Sequence, residues 1–459
     1  MVTVRCKVLC SLDLHSCSRL SAASLLQLVE HLPRLVRLRL SNTQCDSPVL
    51  SAIGSNCQRL RELDISRCKK LSASSLLHLV YSTTSGTFHS QALRLLLLED
   101  MMQHLDPENW VHALCFLLLA VPCLEEMSNP SLSQALILLQ AGEFGESDSS
   151  CDGRPTLADL LHARRLKENR MRNTENSLQL VPCPAEEGGI SGLVLQLKKL
   201  GDVAEEDLSV VGSLCPGVME VSISLGSQGG ANRILIPWKD LTHLTLHCPE
   251  QANRSLEEVI PGLEAIGRKL QFLSVQNVLW REDHSLFNLL KLCPNLHHFQ
   301  AHLAPGPHHV FNNLEEAFPP WGENLIPLDL PELHSFSLYL ENGDLVHPRF
   351  KHTLGGTLAS LFCGCPKLEN LSLWGVPVLL DMVFETVLPL TSYSPLSRLR
   401  VVSLCRSHVT QWGAFLLLRS DNELSVLDLS HCHEVTCRDY HKLQDWVQRE
   451  ETNVAITWE

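Results

Sequence analysis

The sequence predicts an α/β solenoid: a right-handed horseshoe with a parallel sheet on its concave face and helices on its convex face. The first observation is a near-duplication, since "LDLHSCSRLSAASLLQLV" (Leu12–Val29) returns as "LDISRCKKLSASSLLHLV" (Leu63–Val80). The second is a leucine frame that recurs along the chain, and the third is a helix pattern that follows it. Self-similarity of this kind indicates stacked repeat units, each burying the apolar face of its neighbour.

The frame is L-x-x-L-x-L-x-x-C, the spacing of a leucine-rich repeat. It begins at Leu9, Leu60 and Leu424, and also at Leu35, where Thr43 replaces the cysteine. The L-x-L pair predicts a short strand whose leucines point into the core while the residues between them face outward. Further copies begin at Val218, Leu241, Leu270, Leu296, Leu333, Leu368 and Leu399. The predicted fold class is therefore a leucine-rich-repeat solenoid.

A serine-started helix follows the clearest frames. Ser21 and Ser72 are good N-cap residues. In the first helix Leu25, Leu28 and Leu32 recur at helical spacing, which predicts one apolar face laid against the strands. Phrases such as "HLPRL" and "LCPNL" end the helices at a proline, and the next leucine opens a new strand.

This frame, with cysteine in the ninth position and a serine-capped helix, resembles the cysteine-containing leucine-rich-repeat class. That class is best known from F-box and leucine-rich-repeat proteins, and the clean resemblance covers Leu9–Val80 and Leu424–Val435. It implies a non-catalytic protein-interaction scaffold that binds its partner on the concave face, such as the substrate-recognition subunit of an SCF-like cullin ubiquitin ligase. The sequence shows no F-box, so contact with a Skp-type adaptor and cullin would depend on an element not visible in it.

Two alternatives stay open. One is a leucine-rich-repeat regulator or inhibitor that acts by stoichiometric binding to a partner protein and is unrelated to ubiquitin. The other is an enzyme with a site near the loop 304–327. The sequence has no G-x-x-x-x-G-K-[ST], H-E-x-x-H or G-x-S-x-G motif to support the enzyme. We therefore predict no enzymatic activity and no cofactor.

Charge and composition favour a protein partner. The net charge is −14, from 37 Lys+Arg against 51 Asp+Glu, which argues against nucleic acid and anionic membranes. The start "MVTVRCKVLC" does not resemble a signal peptide, and the longest apolar run, Leu114–Leu124, is too short to span a bilayer. The 18 cysteines are scattered singly, so we expect reduced, buried thiols and a cytoplasmic location, with a nuclear one also open.

The predicted organisation has four parts. Residues 1–139 form N-terminal repeats, 140–192 a polar insertion or linker, 193–435 degenerate repeats interrupted by a loop at 304–327, and 436–459 a C-terminal cap. We expect the insertion to be partly disordered, with an amphipathic basic helix at 156–172. That helix could be a docking element, a localisation signal, or a solvated helix on the rim of the solenoid.

Two histidine-rich stretches contain residue types that bind metals. "HCHEVTC" (His431–Cys437) holds four possible ligands, but Cys432 occupies the inward ninth position and the spacing matches no zinc finger. "LHHFQAH" (Leu296–His302) gathers three histidines on one strand. We interpret both as packed or surface side chains and predict no metal.

The predicted binding surface consists of the residues before, between and after the L-x-L leucines. Tyr339 and Trp374 stand out because aromatic residues on a solvated strand face are typical interface anchors, although burial under a neighbouring loop would also explain them. The charged members are expected to set selectivity and association rate. The predicted partner-binding residues are Asp13, His15, Arg37, Arg39, Glu62, Asp64, His243, His247, Gln276, His298, Gln300, His302, Tyr339, Asn370, Trp374 and Asp428.

Overall fold

A computed structural model shows the predicted α/β leucine-rich-repeat architecture. It describes residues 8–101, 106–144, 154–176 (backbone only for 167–176), 193–226, 236–249, 252–306, 325–341, 347–389 and 395–459. The chain divides into two compact units, unit 1 (Met1–Val221) and unit 2 (Ser222–Glu459).

Unit 1 alternates short strands with helices. Its strands are β1 (Ser11–Asp13), β2 (Arg37–Arg39), β3 (Glu62–Asp64), β4 (Tyr81–Ser82), β5 (Thr87–Phe88), β6 (Leu95–Leu97), β7 (Glu126–Ser128) and β8 (Lys199–Ala204), and β9 (Glu220–Ser224) spans the division. Its helices are Ala22–Glu30, Ser47–Asn56, Ala73–Val80, Pro107–Ala120, Leu132–Ala141, Leu157–Asn176 and Leu208–Leu214, with a 3-10 turn at Glu205–Asp207. The sheet runs in the order β1-β2-β3-β6-β7-β8 with parallel pairing, and β4 and β5 form a separate antiparallel pair.

Unit 2 repeats the same pattern with longer strands. These are β10 (His243–His247), β11 (Phe272–Trp280), β12 (His298–Pro305), β13 (Ser335–Leu340), β14 (Asn370–Trp374), β15 (Val401–Ser403), β16 (Val426–Asp428) and β17 (Ala455–Thr457). The helices are Leu256–Leu263, Ser285–Leu292, Pro348–Gly364, Leu380–Val387, Gln411–Arg419 and Cys437–Arg449, with a 3-10 turn at Gly267–Lys269. Strands β10 to β17 pair in chain order, and every pair is parallel.

The leucine frame forms the core in the way its spacing predicts. Leu38 pairs with Leu12 on one side and with Leu63 on the other, so the inward leucines form a continuous row. Leu38 and Leu63 are fully buried. Burying each such side chain stabilises the fold by about 1.5–3 kcal/mol. The serine caps are also present, since Ser21 Oγ accepts a hydrogen bond from the backbone N–H of Ser24 at 3.2 Å.

Three repeats of unit 1 were not predicted. They contain the strands β6, β7 and β8, and their frames begin at Leu93, Leu124 and Leu197. The run "LRLLLL" hides the first, because outward positions such as Leu95 are also leucine and the alternation disappears. In the second, Met127 stands in the place of an inward leucine and is buried.

The prediction of buried thiols is correct for most described cysteines and wrong for four. All of them are free; Cys68 and Cys432 are buried, whereas Cys10, Cys17, Cys123 and Cys437 are exposed. Cys17 occupies the ninth position of the first frame, which predicts that it points inward, and this prediction is wrong. Cys68 lies against the preceding repeat, where the Leu40 carbonyl oxygen accepts its thiol hydrogen, whereas Cys17 belongs to the first described repeat.

The predicted insertion and loop are only partly described. Within 140–192 the helix runs Leu157–Asn176, beside the expected 156–172, and its Leu157 and Leu161 are buried. Residues 193–221 belong to the same compact unit as the N-terminal repeats. Most of the loop 304–327 lies outside the described residues. No helix in the described part of the chain is both long and apolar enough to cross a membrane.

Candidate functional site

The candidate site lies on the sheet face that carries the side chains alternating with the buried leucines, which we call the open face. In unit 2 the strand register arranges these side chains in three rows. The first row is His243, Phe272, His298, Ser335, Asn370, Val401, Val426 and Ala455; the middle row is Thr245, Ser274, Gln300, Ser337, Ser372, Ser403, Asp428 and Thr457. In the third row His247 pairs with Gln276, and His302, Tyr339 and Trp374 pair in turn.

The middle row consists mainly of small hydroxyl side chains. Ser337 and Ser372 are direct partners on β13 and β14, and both are half-buried. Neither hydroxyl makes a hydrogen bond to another residue in the part of the chain that the structure describes. These two positions therefore offer uncommitted donors and acceptors at the floor of the open face.

The third row contains a ring ladder, which we define as His302, Tyr339, Trp374 and the guanidinium of Arg406. The His302 and Tyr339 rings lie 6.1 Å apart edge to face, and the Tyr339 and Trp374 rings stack at 5.8 Å with an interplanar angle of 27°. The Arg406 guanidinium carbon lies 5.0 Å from the centroid of the Trp374 ring, a cation–π contact. The ladder crosses β12, β13 and β14 and ends just after β15.

A bulge in β11 fixes the histidine end of the ladder. The pairing of β11 with β12 shifts between Val275 and Val278, and Asn277 has a positive φ of 58°. The His302 Nδ1 atom lies 2.6 Å from Asn277 Oδ1, and Nε2 lies 3.2 Å from Glu341 Oε1. Both ring nitrogens thus face an oxygen, and the imidazole is held in one orientation.

Arg406 carries the charge at the other end of the ladder. It is exposed, and it makes no ion pair with any acidic residue that the structure describes. Asp428, on the strand after β15, is engaged elsewhere: it accepts hydrogen bonds from the hydroxyls of Ser403 and Thr457 at 2.9 Å and from Ser430. Burial raises the pKa of Asp428, but these hydrogen bonds outweigh it, and the pKa is lowered overall.

The first row gathers histidines at its N-terminal end. His243 stacks on Phe272 at 5.9 Å, and Phe272 contacts His298 at 6.4 Å. Partial burial lowers the pKa of His298, and the neighbouring imidazoles of His334, His297 and His243 lower it further. These neighbours therefore favour the neutral form of the His298 ring.

The predicted residues of unit 1 pair mainly with one another. Arg37 Nε lies 2.8 Å from Glu62 Oε1, and Arg39 Nη1 lies 3.6 Å from Asp13 Oδ2. His15 Nδ1 lies 2.6 Å from Ser41 Oγ. Exposed ion pairs of this kind contribute at most about 1 kcal/mol to stability. Their charges are already matched within the face.

The structure brings some of the predicted residues together and leaves others apart. His302, Tyr339 and Trp374 form one cluster, while Asp13, His15, Arg37, Arg39, Glu62 and Asp64 lie in unit 1. Gln300, Asn370 and Asp428 lie in the first and middle rows of unit 2. Arg406 was missed, although its place right after the open-face residue Cys405 could have been read from the frame. That any of these residues binds a partner stays a prediction.

Two other features of unit 2 lie away from the ring ladder. A cleft of about 870 Å³ lies on the helix side of unit 2, lined by Glu264, Arg268, Asn288 and Lys291 among others, away from the ring ladder. Cys432 donates its thiol to the carbonyl oxygen of Leu404 at 3.0 Å. Among the described residues, no three His, Cys, Asp or Glu side chains converge as metal ligands would.

The described strands and helices form a leucine-rich-repeat fold. Its structure is similar to three solved structures: the Rad7–Elc1 complex of yeast (TM-score 0.43, 13% identity, 91% of this chain and 80% of that chain), an internalin from Listeria monocytogenes (0.36, 14%, 94% and 82%), and the mouse RP105/MD-1 complex (0.37, 13%, 92% and 71%). No family model and no curated protein matches the chain.

Proposed function

We propose that the chain is a non-catalytic scaffold that binds a protein partner on the open face of unit 2. The observation that carries this proposal is the ring ladder beside the uncommitted hydroxyls of Ser337 and Ser372. Tyrosine, tryptophan and arginine are the residue types that dominate protein interfaces, because they combine a large contact area with a polar handle. Here Tyr339 and Trp374 lie on adjacent strands, and Arg406, just after the next strand, contacts the Trp374 ring.

The chemistry of the face also supports binding rather than catalysis. A nucleophilic serine needs a base within hydrogen-bond reach. The hydroxyls of Ser337 and Ser372 have no such partner among the described residues. Cys405, the thiol beside the ladder, has its pKa raised by burial and by Asp428, which opposes the thiolate form that a nucleophilic cysteine needs.

Site-directed photo-crosslinking tests the proposal. A benzoylphenylalanine residue is placed at Ser337 on the open face, and, as a matched control, at exposed Asn288 on the helix Ser285–Leu292 of the same unit. Each full-length variant is expressed in cells and irradiated, and the crosslinked species are identified by mass spectrometry. We expect the Ser337 position to yield one or a few saturable protein adducts that the Asn288 position does not yield. Equal adducts from both positions, or none from Ser337, would contradict the proposal.

We further propose that the partner is a substrate presented to a cullin-type ubiquitin ligase. Support comes from the cysteine frame, whose buried Cys68 and Cys432 are typical of the class that this chain resembles. Free thiols throughout the described chain also favour a cytoplasmic location. Co-purification of a Skp-type adaptor and a cullin with the full chain would support the ligase role. A single stoichiometric partner without them would instead favour a regulator or inhibitor.

A further inference from the structure

We infer that the part of the open face over β13 and β14 binds an extended acidic peptide segment of the partner, with one carboxylate held by Arg406. This inference rests on the proposed function and deepens it, because it names the chemistry of the bound segment. Three features support it: the shape of the face, the uncommitted polar groups, and the distribution of charge.

The shape of the face suits an extended chain that crosses the strands. In the middle row, Ser337 and Ser372 are small, whereas the neighbouring third row carries the large rings of Tyr339 and Trp374. Because these side chains are smaller than the rings, the face is lower along the middle row than along the ladder, and we call this lower strip the trough. An extended peptide backbone can approach these small side chains closely, whereas the side chains of a helix about 10 Å across would hold its backbone away from them.

The floor of this trough can bond a peptide backbone. A backbone segment that leaves water needs partners for its N–H and C=O groups. A serine hydroxyl can donate and accept. The hydroxyls of Ser335, Ser337 and Ser372 and the side-chain amide of Asn370 make no hydrogen bonds to other described residues. They are therefore available to such a segment without breaking contacts within the protein.

The charge distribution selects an acidic side chain at the β15 end of the trough. Arg406 is exposed and makes no ion pair in the described chain. Asp428, on the next strand, is held by hydroxyl hydrogen bonds and not by Arg406. Tyr339 and Trp374 turn their ring faces toward each other, which leaves their electropositive edges for a guest. An arginine stacked on an indole keeps its planar fork and can bind a carboxylate in two places.

The opposite end of the ladder disfavours acid. Glu341 lies beside His302, so a second carboxylate there would meet a like charge. The predicted acidic residue is therefore confined to the Arg406 end of the row. A basic segment would prefer the reverse placement, at Glu341.

Peptide selection on the purified full chain tests the inference. The probe is a phage-displayed library of random twelve-residue peptides. We expect selected peptides to share an Asp or Glu at a fixed position. A selected peptide should bind Arg406→Gln about tenfold more weakly, since loss of one charge-assisted contact is worth about that factor. Arg406→Glu should select Lys or Arg instead, and Arg419→Gln, a control on the exposed end of a helix, should bind like the unchanged chain.

Three results would overturn the inference: no peptide selected, peptides without a shared acidic residue, or equal binding by Arg406→Gln. These results are distinct from failure of the proposed function. If Ser337 still crosslinks a partner, the scaffold role stands and only the acidic segment is wrong. If Ser337 crosslinks nothing, the scaffold role itself fails.

Discussion

The thiol of Cys68 donates a hydrogen bond to the carbonyl oxygen of Leu40 at 3.2 Å, from one repeat to the one before it. Cys432 makes the same contact with Leu404 at 3.0 Å, again 28 residues back along the chain. The ninth position of the frame thus ties consecutive turns of the backbone together. Thr43 fills the position in another repeat and donates to Leu40 within its own turn at 2.6 Å.

Replacing the ninth-position cysteine should destabilise the protein only where the thiol is buried. We expect Cys68→Ala to lower the free energy of unfolding by about 1–2 kcal/mol, because it leaves a small cavity and removes a hydrogen bond. Cys17→Ala is the matched control, because Cys17 holds the same frame position but is exposed, and we expect a change within about 0.5 kcal/mol. Urea unfolding followed by circular dichroism measures both. Equal changes in the free energy of unfolding for the two variants would show that the contact between Cys68 and the Leu40 carbonyl does not stabilise the protein.

Buried thiols should make the fold sensitive to alkaline pH. Burial raises the pKa of Cys57 to about 11 and those of Cys115, Cys215 and Cys293 to about 12, from an ordinary value of 9.0. Because the folded-state pKa is the higher one, this stabilisation is complete below pH 9 and is lost as pH rises toward 11–12. Each such thiol contributes a slope of about 1.4 kcal/mol per pH unit in that window.

The thiol origin of this slope can be isolated with one variant. Urea midpoints are measured from pH 8 to pH 10.5 for the unchanged chain, Cys57→Ala and Cys17→Ala. We expect the urea midpoint of Cys57→Ala to fall less with rising pH than that of the unchanged chain, and the midpoint of Cys17→Ala to fall as much as that of the unchanged chain. If the Cys57→Ala slope equals that of the unchanged chain, lysine or tyrosine titration is responsible instead.

Gly54 lies where two helices approach closely. A Cβ atom there would lie 2.3 Å from the carbonyl oxygen of Leu79 on the helix Ala73–Val80, and that backbone atom cannot move aside. We expect Gly54→Ala to destabilise the protein by about 1–3 kcal/mol, although alanine favours a helix by about 1 kcal/mol. Gly217→Ala is the control, since its Cβ would meet no described atom within 4 Å. A thermal midpoint unchanged by Gly54→Ala would contradict the close approach.

Asp428 should stabilise the C-terminal repeats in a way that acid removes. Its folded-state pKa is lowered below 3.8, so its contribution is present above that pH and is lost as pH falls through the folded value. Asp428→Asn should therefore lower the urea midpoint at pH 7, and this difference should shrink below about pH 4. Asp64→Asn is the matched control, because Asp64 holds the same frame position and accepts the Ser66 backbone N–H without the extra hydroxyls. A difference for Asp428→Asn that is constant from pH 7 to pH 3 would argue against the hydroxyl network.

The sequence predicts the repeat architecture well because each strand requires a buried leucine at a fixed position of the frame. A buried leucine such as Leu63 is required wherever the strand meets the helices, so the spacing alone places the strand. Where that requirement relaxes, the pattern fades: outward leucines hide the strand at Leu95, and Met127 replaces leucine in the next one. Burial in this fold tolerates any apolar residue of suitable size.

The candidate site is harder to predict, because it depends on register rather than composition. The sequence indicates Tyr339 and Trp374 as outward aromatic residues, but repeats of unequal length separate them from His302 and Arg406. Only the structure shows that they meet: the strand pairing aligns the three rings, and Arg406 contacts the last of them. The bulge at Asn277, which orients His302, cannot be predicted from the leucine frame.

The spacing of the serine hydroxyls on β13 and β14 determines which residues of a bound peptide can contact them. Neighbouring strands lie about 4.8 Å apart, whereas an extended chain advances about 3.3 Å per residue, so three residues of the guest span two strands to within a few tenths of an ångström. A guest residue that lies over Ser337 on β13 has no neighbour directly over Ser372 on β14. The residue three positions further along the guest lies over Ser403 on β15. The sequences that bind here should therefore show contact residues at every third position, unlike the every-second-residue pattern of a chain added to a sheet edge.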